Sequence, residues 1–423
     1  WADEQLLLGE NDWVNGGYKP NTSVVDLAHK AGVKILMSVG GWNHSPRFPA
    51  IAADNTKRAK MVSSIIELIK KYKFDGVDMD WEYPGDPAQG GGPADKENFT
   101  KLITELHTAL QNLKSQTGKT YMLTSCFGAD VKKMENIEWA KVLPYLDMVN
   151  LMTYDFFGAW DPIANVCSPL YPPEYGDPNF CVSSAFNNIV NKFHVPLNKL
   201  NLGVPFYGRA LAGVSTLYGN SPGQADKATF PEDLGQPTYY NILKRIDQFE
   251  QHWDEKTQTP YLTKSDGFVS YDNPKSVGKK VQFAKDSGVA GVIIWEITND
   301  MLAPDQTQSG KIETPLVDKV NQVFNEKTVT AVSNVDKATS DKLSVFPNPV
   351  SSNNSFRVKL DLEKESITSV SVYNTLGQKV MESDPVHMKA GSNEMNLQFD
   401  IPGTYIIRSK AGEKVLQDKL IIK

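Results

Sequence analysis

With 423 residues, of which 40% are hydrophobic, the chain is long enough for one large domain and one small one. Its net charge of −6 comes from charges scattered along the sequence, without the basic block that would bind a nucleic acid. No apolar run approaches the roughly 20 residues that span a bilayer, and no signal segment precedes the first predicted element.

Between about residues 31 and 297, short apolar runs alternate with longer amphipathic segments, which is typical of β/α units around a parallel sheet. The six predicted strands are Val33–Gly41, Phe74–Glu82, Tyr121–Gly128, Met148–Asp155, Leu200–Gly208 and Val289–Ile297. Segments such as 58–72 and 98–113 repeat apolar residues at helical spacing, so they are predicted to be outer helices.

Each predicted strand turns polar or aromatic at its C-terminal end, for example at Ser38, Ser125 and Tyr207. In a β/α barrel the C-terminal rim carries the chemistry, so this repeated pattern predicts one shared site. A doubly wound sheet would concentrate ligands at a single switch point instead. We therefore predict an α/β fold of the (β/α)8, or TIM-barrel, type.

Two more regions are predicted on either side of the last barrel elements. Residues 209–268 are too many for a connecting helix and mix aromatic with polar residues, which indicates an inserted α+β subdomain. After the barrel domain, residues 1–326, the composition of residues 327–341 indicates a flexible linker. Residues 342–423 form short alternating runs separated by turns, which predicts a small all-β sandwich.

Three cysteines are too few for a disulfide scaffold, and they lack the paired spacing of a zinc site. Cys126 is interpreted as a buried or incidental thiol. Cys167 and Cys181 flank a proline-rich loop, so a disulfide between them and two free thiols are equally compatible with the sequence.

The most unusual stretch is "FDGVDMDWEYPG", residues 74–85, which sets carboxylates in an apolar run. In a strand, residues two apart share a face, so Asp78, Asp80 and Glu82 would point the same way at intervals of about 6.6 Å. Crowded carboxylates in a poorly solvated site cannot all ionise, so at least one pKa should rise. The stretch thus predicts a carboxylic acid that stays protonated near neutral pH, as a general acid requires.

Two other interpretations fit the stretch poorly. A calcium loop of the EF-hand type needs glycine at its sixth position and glutamate at its twelfth, where this chain has Tyr83 and Gln89. A merely solvated acidic turn does not agree with the interleaved Val77, Met79 and Trp81.

These residues carry a resemblance to glycoside hydrolase family 18, the chitinase-like barrels. The family's DxxDxDxE signature is complete at Asp75, Asp78, Asp80 and Glu82. Further similar motifs follow the family's order: "SVGGW" at 38–42, "MTYDF" at 152–156, "GVPFYGR" at 203–209 and "WE" at 295–296. The resemblance covers roughly residues 1–326, including the insertion before the last strand.

The resemblance implies hydrolysis with retention of configuration, in which the substrate's own 2-acetamido group replaces an enzyme nucleophile. By position, Glu82 would be the acid and then the base. Asp80 would orient the acetamide nitrogen, Asp78 would hold the proton of Asp80, and Tyr154 would bind the acetamide carbonyl. Asp75 would have a structural role at the start of the strand.

The resemblance also implies substrate contacts. Trp295 is expected under the sugar at the cleavage point, with a core tryptophan as the alternative. Met152 and Asp155 would line the same subsite. Weaker candidates, for which ordinary packing is an equal alternative, are Trp42, Tyr83, Trp160, Tyr207 and Tyr240. Arg209 would bind near the cleavage point or form an ion pair at the rim.

A closed (β/α)8 barrel has eight strands, and six are predicted here. In the family, two strands precede the "SVGGW" strand, whereas only 32 residues precede Val33. We therefore expect the barrel to lack its first two strands in this chain, which looks N-terminally incomplete.

The last domain carries a second resemblance. "LSVFPNPVSS", "SVYNTLGQKV", "GTYIIRS" and "KLIIK" are similar to the C-terminal sorting domain of the type IX secretion system. This implies a secreted protein whose partner is the secretion machinery. A fibronectin-like or carbohydrate-binding sandwich is the alternative.

The principal hypothesis is thus a secreted chitinase that cleaves β-1,4 links between N-acetylglucosamine units. We expect it to need no metal or organic cofactor, to bind no nucleic acid, to have no membrane span and to act as a monomer. The alternatives are an endo-β-N-acetylglucosaminidase acting on N-glycans and a non-catalytic chitin-binding lectin. The retained Glu82 disfavours the lectin.

Overall fold

The structure is a computed structural model that describes residues 10–12, 17–18, 23–326, 341–351, 355–374, 379–399, 401–411 and 414–422. The chain divides into two compact units, Trp1–Phe324 and Asn325–Lys423. Most of the predicted linker, residues 327–340, lies outside the described residues. No helix in the described part of the chain is long and apolar enough to cross a membrane.

The first unit is built on a parallel sheet of six strands that follow one another in chain order. An antiparallel pair, β1 (Glu10–Asp12) and β2 (Gly17–Tyr18), comes before it. The six strands are β3 (Met37–Gly40), β4 (Gly76–Asp80), β5 (Met122–Gly128), β6 (Met148–Met152), β7 (Leu200–Pro205) and β12 (Gly291–Trp295). All six predicted strands and their parallel arrangement are confirmed. The two edge strands, β3 and β12, pair on one side only among the described residues.

The register of the sheet explains the polar layer inside it. Ser38 of β3 lies opposite Asp78 of β4, which lies opposite Thr124 of β5. Because alternate residues of a strand face opposite sides, Val77 and Met79 turn the other way and are fully buried in the core. Strand β4 thus packs one face into the apolar core and directs the other face, with Asp78, toward the polar interior.

Helices cover the sheet. They are α1 (Val24–Lys30), α2 (Phe48–Ala53), α3 (Asn55–Tyr72), α4 (Asp95–Thr117), α5 (Val131–Met134), α6 (Trp139–Val142), α7 (Val182–Asn187), α8 (Tyr239–Arg245), α9 (Pro274–Ser287) and α10 (Pro315–Asn325). Short 3-10 helices span Ser45–Arg47, Pro87–Gln89, Leu197–Lys199, Ile246–Gln248, Ile297–Asp300 and Pro304–Gln306, and a π-helix spans Asn188–Lys192.

Local sequence sets the ends of the two longest helices. Helix α3 begins after Asp54, whose carboxylate accepts the backbone N–H groups of Thr56 and Lys57. Helix α4 ends at Gly118, whose φ of 72° lies in the left-handed region that favours glycine. Its buried face, which includes Leu102, packs into the main core.

The insertion between β7 and β12 is a four-stranded antiparallel sheet in the order β8–β11–β10–β9, followed along the chain by α9. Its strands are β8 (Arg209–Ala212), β9 (Glu250–Asp254), β10 (Thr259–Lys264) and β11 (Gly267–Ser270). Helix α8 belongs to the same region, so the inserted subdomain is α+β as predicted.

The second unit is all-β, as predicted. Its strands are β13 (Lys342–Phe346), β14 (Ser355–Leu362), β15 (Ser366–Thr368), β16 (Val370–Asn374), β17 (Lys379–Glu382), β18 (Val386–Met388), β19 (Gly391–Gln398), β20 (Gly403–Ala411) and β21 (Lys414–Ile422). The sheets β13–β14–β19 and β17–β16–β20–β21 contribute Phe356, Val358, Val372 and Ile407 to one core. A short sheet, β15–β18, completes the unit.

The three cysteines are free thiols. Cys167 and Cys181 are both buried, and they do not form the disulfide that the sequence left open. The Cys181 sulfur accepts the backbone N–H of Ser184 at the start of α7, and the Cys167 sulfur contacts Asp155.

Candidate active site

The C-terminal ends of the parallel strands open into a cleft with a volume of about 1110 Å³. Most of the predicted site residues line it: Trp42, Asp80, Glu82, Tyr83, Met152, Tyr154, Asp155, Trp160, Tyr207, Arg209 and Trp295. They come from the ends of different strands, as expected of a barrel rim. Two predicted residues, Asp78 and Tyr240, are not in the lining.

Asp78 lies inside the barrel below the cleft, where four side chains donate to its carboxylate. Thr124 Oγ1 is 2.5 Å and Asn150 Nδ2 is 3.1 Å from Oδ1, while Ser38 Oγ is 3.3 Å and Cys126 Sγ is 3.4 Å from Oδ2. These donors saturate the carboxylate. The donors come from the three nearby strands β3, β5 and β6, and the sharing of a proton between Asp78 and Asp80 stays a prediction.

Asp80 is the most perturbed carboxyl group of the site. Its side chain is buried, and its Oδ1 has no hydrogen-bond partner among the described residues. Burial, followed by the charges of Glu82 and Asp78, raises the pKa of Asp80 to about 8. This rise favours the protonated form of Asp80 at neutral pH.

Glu82 follows β4, and a hydrogen bond of its backbone N–H fixes its position. Its N–H donates to Ser45 Oγ at 2.7 Å, and that hydroxyl donates to the carbonyl of Gly41 at 2.9 Å. Burial raises the pKa of the Glu82 carboxyl, against a hydrogen bond from Tyr83 and the positive charge of Lys133. The rise favours the protonated form that a general acid needs.

Two phenols stand beside the carboxyl groups. Burial raises the pKa of Tyr83 and of Tyr154 well above the usual value, so both remain hydrogen-bond donors across the physiological range. The Tyr154 ring lies 6.1 Å from that of Tyr207, whose hydroxyl is buried without a partner among the described residues.

Arg209 forms an ion pair with Asp155, one of the two roles that the sequence left open. Its Nη2 lies 2.6 Å from Asp155 Oδ2, and its Nε donates to Oδ1 at 2.8 Å. The guanidinium also stacks over the rings of Trp160 and Tyr207, at 5.0 and 5.6 Å from their centroids. The Arg209 side chain thus contacts Asp155, Trp160 and Tyr207, three residues that line the cleft.

Three tryptophans of the cleft are unusually exposed. Trp42, Trp160 and Trp295 are 52%, 56% and 55% exposed, respectively. A tryptophan that serves only to fill a core is buried, as Trp81 is at 1%. The core interpretation of Trp295 is therefore wrong in this structure, and its indole is available to a ligand.

Tyr240 was predicted as a weak sugar contact, and the structure corrects this. It lies on α8 next to the buried Tyr239, and its ring is covered by Lys244, 5.2 Å away. Consecutive residues of a helix point in different directions, so Tyr239 and Tyr240 face different surroundings. Tyr239 is buried in the core, and Tyr240 does not line the cleft.

Several cleft residues escaped the sequence analysis, including Lys133, Gln236, Thr238 and Asn299. Lys133 is the most informative because its Nζ lies 3.8 Å from the centroid of the Tyr83 ring, and burial lowers its pKa. It follows β5 directly on α5, so the only available signal was its position after a strand end. In the described part of the chain, no cluster of three or more His, Cys, Asp or Glu side chains is arranged to hold a metal ion.

The parallel α/β sheet with a carboxyl cluster and exposed tryptophans at its C-terminal rim defines a barrel glycoside hydrolase. Residues 3–300 match the model of "Glycosyl hydrolases family 18", and the chain belongs to this family. Residues 344–423 match the "Secretion system C-terminal sorting domain", so the second unit is a sorting domain of a secreted protein.

Individual relatives support the same family. The chain is 33% identical over 302 residues to Chitinase A1 of Niallia circulans, covering 67% of this chain and 42% of that protein. It is 32% identical over 318 residues to an Endochitinase of Manduca sexta, covering 70% and 56%. The chain thus spans about half the length of these curated relatives.

A solved structure agrees with the fold. Catalytic domain 2 of the Group II chitinase of Ostrinia furnacalis, an E2180L mutant in complex with penta-N-acetylchitooctaose, has a TM-score of 0.64 and 26% identity. The match covers 72% of this chain and 80% of that one.

Proposed function

We propose that the chain is a secreted chitinase that hydrolyses the β-1,4 links of chitin and its oligosaccharides with retention of configuration. The observation that carries the proposal is the pairing of Glu82 and Asp80, two carboxyl groups with raised pKa values, in one cleft beside Tyr154. Family membership and the chitin oligomer in the related Ostrinia structure support this substrate class.

Glu82 performs the proton transfers. In its protonated form it donates a proton to the glycosidic oxygen while the bond to the anomeric carbon breaks. The substrate's acetamide oxygen attacks that carbon from the other face, which gives a bicyclic oxazolinium ion. The Glu82 carboxylate then accepts a proton from water as the water opens this ion, so two inversions produce net retention.

Asp80 and Tyr154 place the acetamide group. The unpartnered Oδ1 of Asp80 accepts the acetamide N–H, and the Tyr154 hydroxyl donates to the acetamide oxygen. A positive charge developing next to Asp80 lowers the pKa of its carboxyl, so the proton of Asp80 passes to Asp78, the acceptor that the family resemblance implies, and the ionised form faces the cation. Asp78 fixes the strand below through its four hydrogen bonds.

The exposed tryptophans bind the sugar rings. An indole face packs against the apolar C–H face of a pyranose, and Trp295 supplies this surface next to the carboxyl groups. Trp42 and Trp160 extend the aromatic lining to other parts of the cleft. The sorting domain takes this activity to substrates outside the cell by way of the secretion machinery.

The test is hydrolysis of a chitin oligomer followed by proton NMR of the fresh reducing ends. The proposal predicts that the β anomer appears first and equilibrates later to the α anomer. Appearance of the α anomer first would contradict retention. Cleavage of N-glycans in place of chitin oligomers would indicate an endo-β-N-acetylglucosaminidase, and tight binding without turnover would indicate a lectin.

A further inference from the structure

We propose that the buried ion pair of Lys280 and Asp272 acts through Ser168 to position Tyr154 and Asp155 in the cleft. Lys280 Nζ lies 2.6 Å from Asp272 Oδ2 and donates to Ser168 Oγ at 2.9 Å. Ser168 Oγ in turn donates to the carbonyl of Thr153 at 2.7 Å. This role rests on the proposed function, because it serves the two residues that follow Thr153.

The Ser168 hydroxyl joins the side chain of Lys280 to the backbone carbonyl of Thr153, and it acts as both donor and acceptor in doing so. A hydroxyl has one hydrogen to donate, which goes to Thr153, and lone pairs to accept, one of which takes Lys280. Ser168 is 1% exposed, so water does not compete for these bonds. The ammonium of Lys280 orients the hydroxyl because a cation can only donate to it.

Neighbouring contacts attach the same loop to the inserted sheet. The N–H of Cys167 donates to Ser270 Oγ at 2.6 Å, and the N–H of Phe156 donates to the carbonyl of Cys167 at 3.0 Å. Cys167 Sγ lies 3.4 Å from Asp155 Oδ1. Residues 153–156 are therefore held from one side by residues 167–168, which are themselves held by residues 270–280.

The segment needs such a support because its backbone is not in a preferred conformation. Asp155 has a φ of 56°, in the left-handed region that a residue with a side chain seldom adopts. The surrounding contacts must supply the free energy that keeps it there. A displacement of about 1 Å in the adjacent Tyr154 is enough to reduce a rate by roughly two orders of magnitude.

A role in stability alone explains the ion pair poorly. Taking two charges out of water is costly, and well-packed apolar residues of similar volume often replace a buried pair without loss of stability. In addition, Asp272 Oδ1 has no hydrogen-bond partner among the described residues. The ion pair can orient the Ser168 hydroxyl toward the carbonyl of Thr153, which an apolar pair cannot do.

The test is Ser168→Ala in the full chain, because it removes the link and leaves the ion pair intact. We expect kcat on a chitin oligomer to fall at least about tenfold while KM changes less than about threefold, with Tm close to wild type. Ser168→Thr, which keeps the hydroxyl, should recover most of kcat. The matched control is Ser63→Ala, an exposed helical serine whose hydroxyl donates only to the carbonyl of Lys60.

A second variant separates positioning from folding. The double replacement Lys280→Met with Asp272→Leu removes both charges together, so it avoids a buried unpaired charge. It should keep a Tm near wild type yet lose kcat as Ser168→Ala does. Wild-type kcat in both variants would overturn the proposal, as would a loss of kcat that only follows a loss of Tm.

Amide hydrogen exchange keeps this inference distinct from the proposed function. In Ser168→Ala, exchange at Phe156 and Asp155 should accelerate at least about threefold, and in Ser63→Ala it should not change. If the wild-type chain fails to cleave chitin oligomers, the proposed function fails, and the exchange result still decides the positioning role. Unchanged exchange in Ser168→Ala would contradict it.

Discussion

At the scale of single residues, three carboxyl groups of one strand end have three different environments. Asp78 accepts four hydrogen bonds, Asp80 has an oxygen without a partner, and Glu82 is held beside Tyr83 and Lys133. Burial makes the largest contribution to the raised pKa of Asp80, and the spacing along the strand adds the nearby charges of Glu82 and Asp78. Burial also raises the pKa of Glu82, but Tyr83 and Lys133 oppose the rise.

The raised pKa of Asp80 predicts how stability depends on pH. In the folded chain this group keeps its proton up to about pH 8, whereas in the unfolded chain it loses it near the ordinary value of 3.8. The folded state thus binds more protons between these values, and the free energy of unfolding falls as pH rises through this window. Each pKa unit corresponds to about 1.4 kcal/mol, so the contribution amounts to several kcal/mol at most.

Asp80→Asn should remove this decrease in the free energy of unfolding with rising pH, since an amide does not ionise. Urea unfolding at about pH 5 and about pH 9 should show a smaller decrease in stability with pH for this variant than for wild type. The control is Asp305→Asn, at an exposed aspartate, which should leave the decrease unchanged. An identical decrease in wild type and Asp80→Asn would contradict the raised pKa.

The sequence predicted part of the site at this scale. Alternation along β4 placed Asp80 and Glu82 on the polar side, because a two-residue period is a local property. Lys133 could not be found in this way, since its contact with Tyr83 depends on how the loop after β5 returns over the cleft. The orientation of Asp78 likewise depends on Thr124 and Asn150, which belong to other strands.

At the scale of elements, Asp75 joins three parts of the barrel below the cleft. Its carboxylate accepts from the backbone N–H of Ile35 at 2.8 Å, contacts His29 Nε2 at 2.9 Å and pairs with Lys119 Nζ at 2.8 Å. It thus connects α1, the residues before β3 and the loop after α4. This gives a physical basis for the structural role expected from the sequence.

Asp75→Asn should destabilise the chain by about 1–2 kcal/mol at neutral pH, a modest value because His29 and Lys119 are partly exposed to solvent. Burial opposes the shift, but Lys119, the Ile35 amide and His29 together lower the pKa of Asp75. Its contribution is therefore present above the unfolded value of 3.8 and is lost as pH falls below it.

Chemical unfolding as a function of pH tests this prediction. The difference in unfolding free energy between wild type and Asp75→Asn should be constant near neutrality and should shrink on acidification below about pH 4. Asp247→Asn, at an exposed aspartate, provides the baseline. A difference that persists unchanged in acid would show that the carboxylate's charge is not what stabilises the fold.

Elements with strong local signals were predictable, and those defined by tertiary contacts were less so. The six strands and the helices α3 and α4 follow from runs of apolar residues and helical spacing. The predicted sugar contact of Tyr240 was wrong because Tyr239 and Tyr240 are the same residue type side by side on α8 but face different surroundings. Only the packing of the inserted subdomain distinguishes them.

At the scale of the whole molecule, the chain forms two units with separate hydrophobic cores, and the cleft and the sorting domain belong to different units. The sequence indicated this division, because helical periodicity ends near residue 326 and alternating β patterns begin near residue 342. The cleft, its carboxyl groups and its exposed tryptophans all lie in the first unit. The second unit matches a sorting domain and has a core of its own.

The central claim is that Glu82 is the acid and base of chitin hydrolysis. The most direct measurement is turnover and binding of a chitin oligomer by Glu82→Gln, with Glu67→Gln on the exposed face of α3 as control. The account predicts that kcat falls by about three orders of magnitude or more while Kd stays within a few-fold of wild type. Turnover near the wild-type rate in Glu82→Gln would contradict it.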